Sequence, residues 1–152
     1  MSKKTIKMGI FGGYRGSTFY KSVLANNAEI VAVCDFNEKY ANKAKEMLGN
    51  DVAVYTAFDD FIEHDMDAVV LANYAHQHAP FAIRAMKKGL HVFSEVLPVQ
   101  TMKEAVELCE VVEETGMIYA YGENYCYMEG PYEMRRLYKA GKIGELEYAE
   151  CE

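Results

Sequence analysis

The sequence predicts a doubly wound α/β domain whose mostly parallel sheet is covered by helices on both faces. Three observations carry that expectation. Short apolar, strand-like runs alternate with helix-like stretches, the first run leads straight into a glycine-rich turn, and helix-stop glycines recur at Gly49, Gly89 and Gly116. Parallel neighbours need a crossover between them, so this alternation is what a parallel sheet requires of its chain. At 152 residues, the length suits one ordinary domain able to bury an apolar core without disulfides or a structural metal.

The elements follow in order. Ile6, Met8 and Ile10 alternate as a strand does, and Gly12, Gly13 and Gly16 come directly after. The pairs Phe19/Val23 and Tyr20/Leu24 recur at helical i, i+4 spacing, and Asn26-Asn27 closes that helix. Ile30 to Cys34 is a β-branched apolar run suited to a buried parallel strand, and it ends in Asp35. Glu38 to Leu48 reads as a helix stopped by Gly49, and Val52 to Tyr55 as a short third strand.

The unit then repeats. Ala68 to Ala72 is a fourth strand, His78 to Lys88 a helix with Pro80 tolerated in its first turn, and Leu90 to Ser94 a fifth strand after Gly89. Thr101-Met-Lys-Glu104 is a capping-box pattern opening a helix to Thr115, with Gly116 ending it and Met117 to Tyr121 as the sixth strand. Pro131 can start a last helix that stops near Gly141, and Glu145 to Cys151 alternates like a further strand.

Charge and composition exclude several classes of partner. A net charge of -7, with no lysine or arginine block, argues against a surface for nucleic acid or an anionic membrane. No apolar run approaches the roughly 20 residues of a membrane helix, and the polar N-terminus lacks the apolar region of an export signal, so a cytoplasmic protein is expected. The four cysteines lack C-x-x-C spacing and suggest neither a zinc site nor a disulfide framework. His76 and His78 form an H-x-H pair without further ligands, so no metal is expected.

The glycine turn carries the first chemistry. A helix N-terminus leaves unpaired N–H groups and partial positive charge, and glycines let a pyrophosphate approach them. The dinucleotide fingerprint G-x-G-x-x-G is met only loosely by Gly12-Gly13-Tyr14-Arg15-Gly16-Ser17. Aligned on Gly12, the second and third glycines become Tyr14 and Ser17; aligned on Gly13 and Gly16, the first becomes Phe11. Position between strand and helix is what gives this turn its meaning. Asp35, about 20 residues on at the end of the second strand, can accept hydrogen bonds from both ribose hydroxyls and would repel a 2′-phosphate, which favours NAD over NADP. Arg15 reads equally as a phosphate contact or a surface side chain.

Open α/β sheets bind ligands at the carboxyl ends of their strands. That edge receives Tyr74, His76 and His78 after the fourth strand, and Glu123 and Asn124 after the sixth. Tyr74, Tyr121, Tyr125 and Tyr127 offer aromatic faces for a nicotinamide or a sugar, or simply pack as amphipathic core residues. His78 has an alternative reading as a polar residue opening its helix.

Beyond these features, Val33-Cys34-Asp35, Ala72-Asn73-Tyr74 with His78, Gly89-Leu90-His91-Val92-Phe93-Ser94-Glu95 and Gly141-Lys142-Ile143-Gly144-Glu145-Leu146 occur together. With the glycine turn, they make the chain resemble the N-terminal half of the glucose-fructose oxidoreductase, inositol dehydrogenase and MocA (Gfo/Idh/MocA) family. The resemblance implies a Rossmann-type NAD domain over residues 1–122. Its cofactor-binding residues would be Gly12, Gly13, Tyr14, Arg15, Gly16, Asp35, Asn73, Tyr74, His78, Glu95, Glu123 and Asn124. Residues 123–152 would be a connecting helix and the first strand of a substrate domain that this chain lacks, so the chain is expected to be truncated and inactive alone. The full-length protein would be a homo-oligomer transferring hydride between nicotinamide and a sugar, polyol or related compound.

One departure from the family pattern matters. Members usually carry E-K-P after the fifth strand, the lysine assisting proton transfer, where this chain has Glu95-Val96-Leu97-Pro98. Glu95 remains as the catalytic candidate, but a valine cannot titrate. Glu95-Val96 and Glu123-Asn124-Tyr125-Cys126-Tyr127 are similar to the branch containing NAD-dependent glycoside hydrolases, in which transient oxidation of a sugar carbon lets the glycosidic bond leave by elimination. A non-catalytic NAD-binding module is the third expectation.

Overall fold

The computed structural model describes residues 4–150, and the chain forms two compact units, Met1–Gly122 and Glu123–Glu152. In the first unit, β1 (Ile6–Phe11) leads into α1 (Gly13–Gly16), a 3₁₀ turn at Ser17–Phe19 and α2 (Tyr20–Ala25). There follow β2 (Ala28–Cys34), α3 (Glu38–Leu48), β3 (Ala53–Tyr55), α4 (Phe58–Phe61) and β4 (Ala68–Leu71). The unit ends with α5 (His78–Lys87), β5 (His91–Ser94), α6 (Met102–Thr115) and β6 (Tyr119–Tyr121).

The six strands pair in parallel in the order β3-β2-β1-β4-β5-β6. The chain thus builds outward from β1 on one side, then crosses back to β4 and builds outward on the other. Connections leaving β1 and β4 depart in opposite directions, which opens a crevice at the carboxyl ends of those two strands.

Strand period sorts side chains onto two cores. Ile10, Val33 and Val70 belong to one apolar cluster, while their chain neighbours Phe11, Cys34 and Leu71 belong to the other. Because both faces are covered, these strands read as continuous apolar runs rather than alternating ones. Burying each such side chain contributes roughly 1.5–3 kcal/mol relative to exposure. Phe11, Phe58 and Phe81 meet with ring centroids 4.5 to 4.9 Å apart, and the Arg84 guanidinium lies 4.9 Å over Phe58 while pairing with Asp59. Cys34 is fully buried, and burial pushes its thiol up to about 12, so it stays protonated and inert at neutral pH.

Local signals set the helix ends. The Asn37 side chain accepts from the Lys39 N–H at the start of α3, Gly49 closes that helix, and Thr101 and Glu104 complete a capping box on α6. One helix, α4, has no counterpart in the sequence reading.

The second unit contains a 3₁₀ turn at Tyr125–Tyr127 and α7 (Glu129–Lys139). The further strand expected from Glu145 to Cys151 is not formed: residues 145–150 make no ladder, and Cys151 lies outside the described residues. Alternation alone cannot make a strand, because its backbone groups need a partner to pair with. No helix among the described residues is long and apolar enough to cross a membrane, and no group of three or more His, Cys, Asp or Glu there is placed to hold a metal ion.

Candidate functional site: a dinucleotide cleft

At the crevice, Gly12 sits in the left-handed region at φ 101°, where a side chain is strained. Its N–H donates to Cys34 O at 2.8 Å, and the Ala72 N–H donates to Phe11 O at 2.7 Å, so the turn is seated between the ends of β2 and β4. A Cβ on Gly12 would lie 2.3 Å from the Ala72 carbonyl oxygen. Gly16 serves packing instead: a Cβ there would lie 2.4 Å from Ile10 Cγ2, so glycine lets the helix press onto β1.

No side chain caps the N-terminus of α1. The amides of its first turn therefore remain available to an anion, except that the Tyr14 N–H points at Asp35 Oδ2 across a long 3.4 Å. Asp35 follows β2 and is half-buried, with Oδ1 accepting from the Asn37 N–H at 2.8 Å. That bond fixes the carboxylate's orientation and leaves acceptor capacity for hydroxyl donors.

Between these groups lies a cleft of about 660 Å³, within the range of small-molecule sites. Phe11, Gly12, Tyr14 and Arg15 wall it on one side, Asp35 to Glu38 with Tyr40 on another, and Ala72, Asn73 and Tyr74 on the third. Both polar atoms of the Asn73 side chain are buried without a hydrogen-bond partner. An unsatisfied buried amide atom costs about 1–3 kcal/mol, which a polar ligand in the cleft would recover.

Of the expected residues, Arg15 lines the cleft, while Glu95 and His78 do not. Arg15 is held by Glu95, with Nε at 2.8 Å and Nη2 at 2.5 Å from Glu95 Oε1, while the Val96 N–H donates to Oε2 at 3.2 Å. This pair fixes the guanidinium in place, and Glu95, 7% exposed, stands behind the cleft wall and is not among its lining residues. His78 likewise does not line the cleft. Its ring is 1% exposed, with Nδ1 2.9 Å from Leu97 O and Nε2 3.3 Å from Asn73 O. Helix α5 turns it inward against backbone rather than outward to the crevice.

Glu123 and Asn124 belong to the second unit. There the Glu123 carboxylate accepts from the N–H groups of Asn124 and Tyr125, both at 2.8 Å, and so organises its own turn.

Six wall residues were not among those expected from the sequence: Phe36, Asn37, Glu38, Tyr40, Phe11 and Ala72. Chain proximity to Asp35 was a usable signal for the first three. Tyr40 is brought in by α3, and its ring stands 5.1 Å from that of Tyr14.

A glycine turn after β1, a carboxylate at the end of β2 and a crevice at the strand reversal together mark a doubly wound domain of the Rossmann type. More particularly, the chain belongs to the GFO_IDH_MocA oxidoreductase family with an NAD-binding Rossmann fold, whose family model matches residues 6–123. NAD is the cofactor of that fold, and the turn, Asp35 and the unpartnered Asn73 amide fit it.

Among curated relatives, the chain is 28% identical to an alpha-N-acetylgalactosaminidase of Tannerella forsythia, covering 96% of this chain and 34% of that protein. It is 31% identical to a glycosyl hydrolase family 109 protein of Shewanella sp. (strain ANA-3), covering 96% of this chain and 34% of that one. Among solved structures, scyllo-inositol dehydrogenase from Lactobacillus casei with bound NAD(H) and scyllo-inositol matches with a TM-score of 0.84 and 26% identity, over 93% of this chain and 43% of that chain. The chain thus spans about a third of the length of the curated relatives it matches.

Proposed function

We propose that the unit 1–122 is the cofactor domain of an NAD-dependent oxidoreductase that moves hydride between nicotinamide and a carbinol carbon of a sugar, polyol or related compound. Residues 123–152 are then the connector into the substrate domain. The observation that carries this reading is the convergence, in one cleft, of an uncapped helix turn, the oriented Asp35 carboxylate and the unpartnered Asn73 amide.

When bound, NAD supplies the hydride acceptor and returns the hydride in the reverse direction. The chain's own residues bind and orient. The first amides of α1 hold the diphosphate, Asp35 the adenosine ribose, and Asn73 a polar group nearer the middle of the cleft. Tyr14 and Tyr74, both largely exposed at its rim, shield the bound dinucleotide from water. Arg15 and Glu95 set the shape of the wall. In this reading Glu95 does not carry the substrate proton, because its two oxygens are engaged by Arg15 and the Val96 N–H; the carrier comes from the substrate domain.

A second reading is favoured by the curated relatives and by Val96. In it, the hydride is borrowed and returned within one turnover, and the net reaction is cleavage of a glycosidic bond. Either enzyme works in the cytoplasm as a homo-oligomer on a small carbohydrate substrate.

The full-length protein with a panel of sugars, polyols and aryl glycosides separates these outcomes. Net appearance of reduced nicotinamide is the expected result, while glycoside release without it selects the second reading. Tight NAD binding with neither signal would leave a non-catalytic module and contradict both.

A further inference from the structure

We propose that His78 is a positioning residue for the cofactor cleft: its buried imidazole ties the segment after β4 to the segment after β5, so that NAD affinity depends on a side chain the cofactor does not touch. The proposal rests on the NAD reading above and goes beyond it, since it assigns work to a group outside the cleft.

Both nitrogens of the His78 ring face acceptors, Leu97 O at 2.9 Å and Asn73 O at 3.3 Å. A neutral imidazole has one N–H, so it donates to one carbonyl at a time; leucine would fill the same volume with no polar atoms to satisfy. Packing alone therefore gives no reason for histidine here. What histidine adds is a rigid ring, set at the start of α5 directly after the β4 segment, that can donate one N–H across to the segment after β5; the shorter contact, Nδ1 to Leu97 O at 2.9 Å, is the one that carries it.

Both loops matter to the cleft. Asn73 is the residue whose side-chain amide is buried without a partner at the cleft wall, and His78 faces its backbone carbonyl. Leu97 lies two positions beyond Glu95, whose carboxylate holds Arg15 of the glycine turn. A continuous path thus runs from the turn after β1, through Arg15 and Glu95, along Val96 to Leu97, across the Leu97 O to His78 hydrogen bond, and back along the short chain segment from His78 to Asn73, whose carbonyl lies 3.3 Å from Nε2. Arg15 and Asn73, at its two ends, both line the cleft. Cutting the path at His78 frees the Asn73 amide to turn away and unties Leu97 from the opposite wall.

The test uses the 152-residue chain and NAD itself, titrated by calorimetry below the melting temperature of each variant. His78→Leu is expected to weaken binding about tenfold, as couplings carried through packed networks do, and His78→Gln, which keeps an N–H donor, to stay within about threefold of the parent. In parallel, the side-chain amide resonance of Asn73 is expected to shift in the Leu variant before any NAD is added. If the Leu variant does not fold, His78→Asn, too short to reach Leu97 O, takes its place.

Unchanged affinity with an unmoved Asn73 resonance overturns the proposal. So does equal weakening by Leu and Gln, which would mark a merely structural histidine. Failure of the parent chain to bind NAD would sink the cofactor reading and this proposal's affinity arm, whereas an Asn73 shift in that case would still establish the tie between the loops.

Discussion

Gly12→Ala is expected to abolish measurable NAD binding and to destabilise the domain by about 3 kcal/mol or more. Two costs act together. At φ 101° an L side chain is strained, which alone costs about 1–3 kcal/mol. The new methyl carbon would also lie 2.3 Å from the Ala72 carbonyl oxygen, which is backbone and cannot rotate away. Relief requires separating the ends of β1 and β4, where the Ala72 N–H to Phe11 O bond closes the ladder, and that separation misplaces the amides of α1. Thermal melting and calorimetry check both halves. A variant that melts with the parent and binds NAD as well would mean the turn tolerates rearrangement and does not cradle the diphosphate.

Asp35→Ala is expected to weaken NAD binding by about tenfold to a hundredfold, since each hydrogen bond to a charged group is worth about 1.5–3 kcal/mol. Its effect on NADP is expected to be opposite in sense relative to NAD. Removing the carboxylate removes a charge that repels a 2′-phosphate, so the preference between the two cofactors narrows. Stability should fall little, because the Asn37 N–H that loses its acceptor is exposed to water. Parallel titrations with both dinucleotides give the ratio directly, and an unaltered ratio would remove Asp35 from the ribose role.

Much of this architecture is legible in the chain because the signals are local. Val69, Val70 and Leu71 are nearly or fully buried, so β4 must read as an unbroken apolar run. Thr101 and Glu104 satisfy each other within one helical turn, so a four-residue pattern suffices to locate the start of α6. Helix α4, Phe58–Phe61, is a single turn fixed by tilted ring contacts of Phe58 with Phe11 and Phe81, and four residues show no periodicity. The strand expected near Glu145 failed for the converse reason: its alternation was present but its pairing was not.

The site divides the same way. Gly12 and Asp35 stand where chain order alone puts them, at the ends of β1 and β2. The Arg15 to Glu95 pair joins residues 80 positions apart and has no local trace. Nor has the burial of His78: a polar residue opening a helix reads as exposed, and only the approach of Leu97 from the segment after β5 turns it into a strut. Tyr40 joins the wall because α3 lies against the glycine turn, a packing fact and not a motif.

The claim that a dinucleotide lies between the α1 turn and Asp35 is tested most directly by following backbone amide resonances of the 152-residue chain as NAD is added. The largest shifts are expected on Gly13, Tyr14, Arg15 and Asp35, with Asn73 moving in its side-chain amide. Shifts confined to the outer faces of α5 and α6, with the glycine turn and Asp35 unmoved at saturating NAD, would contradict it.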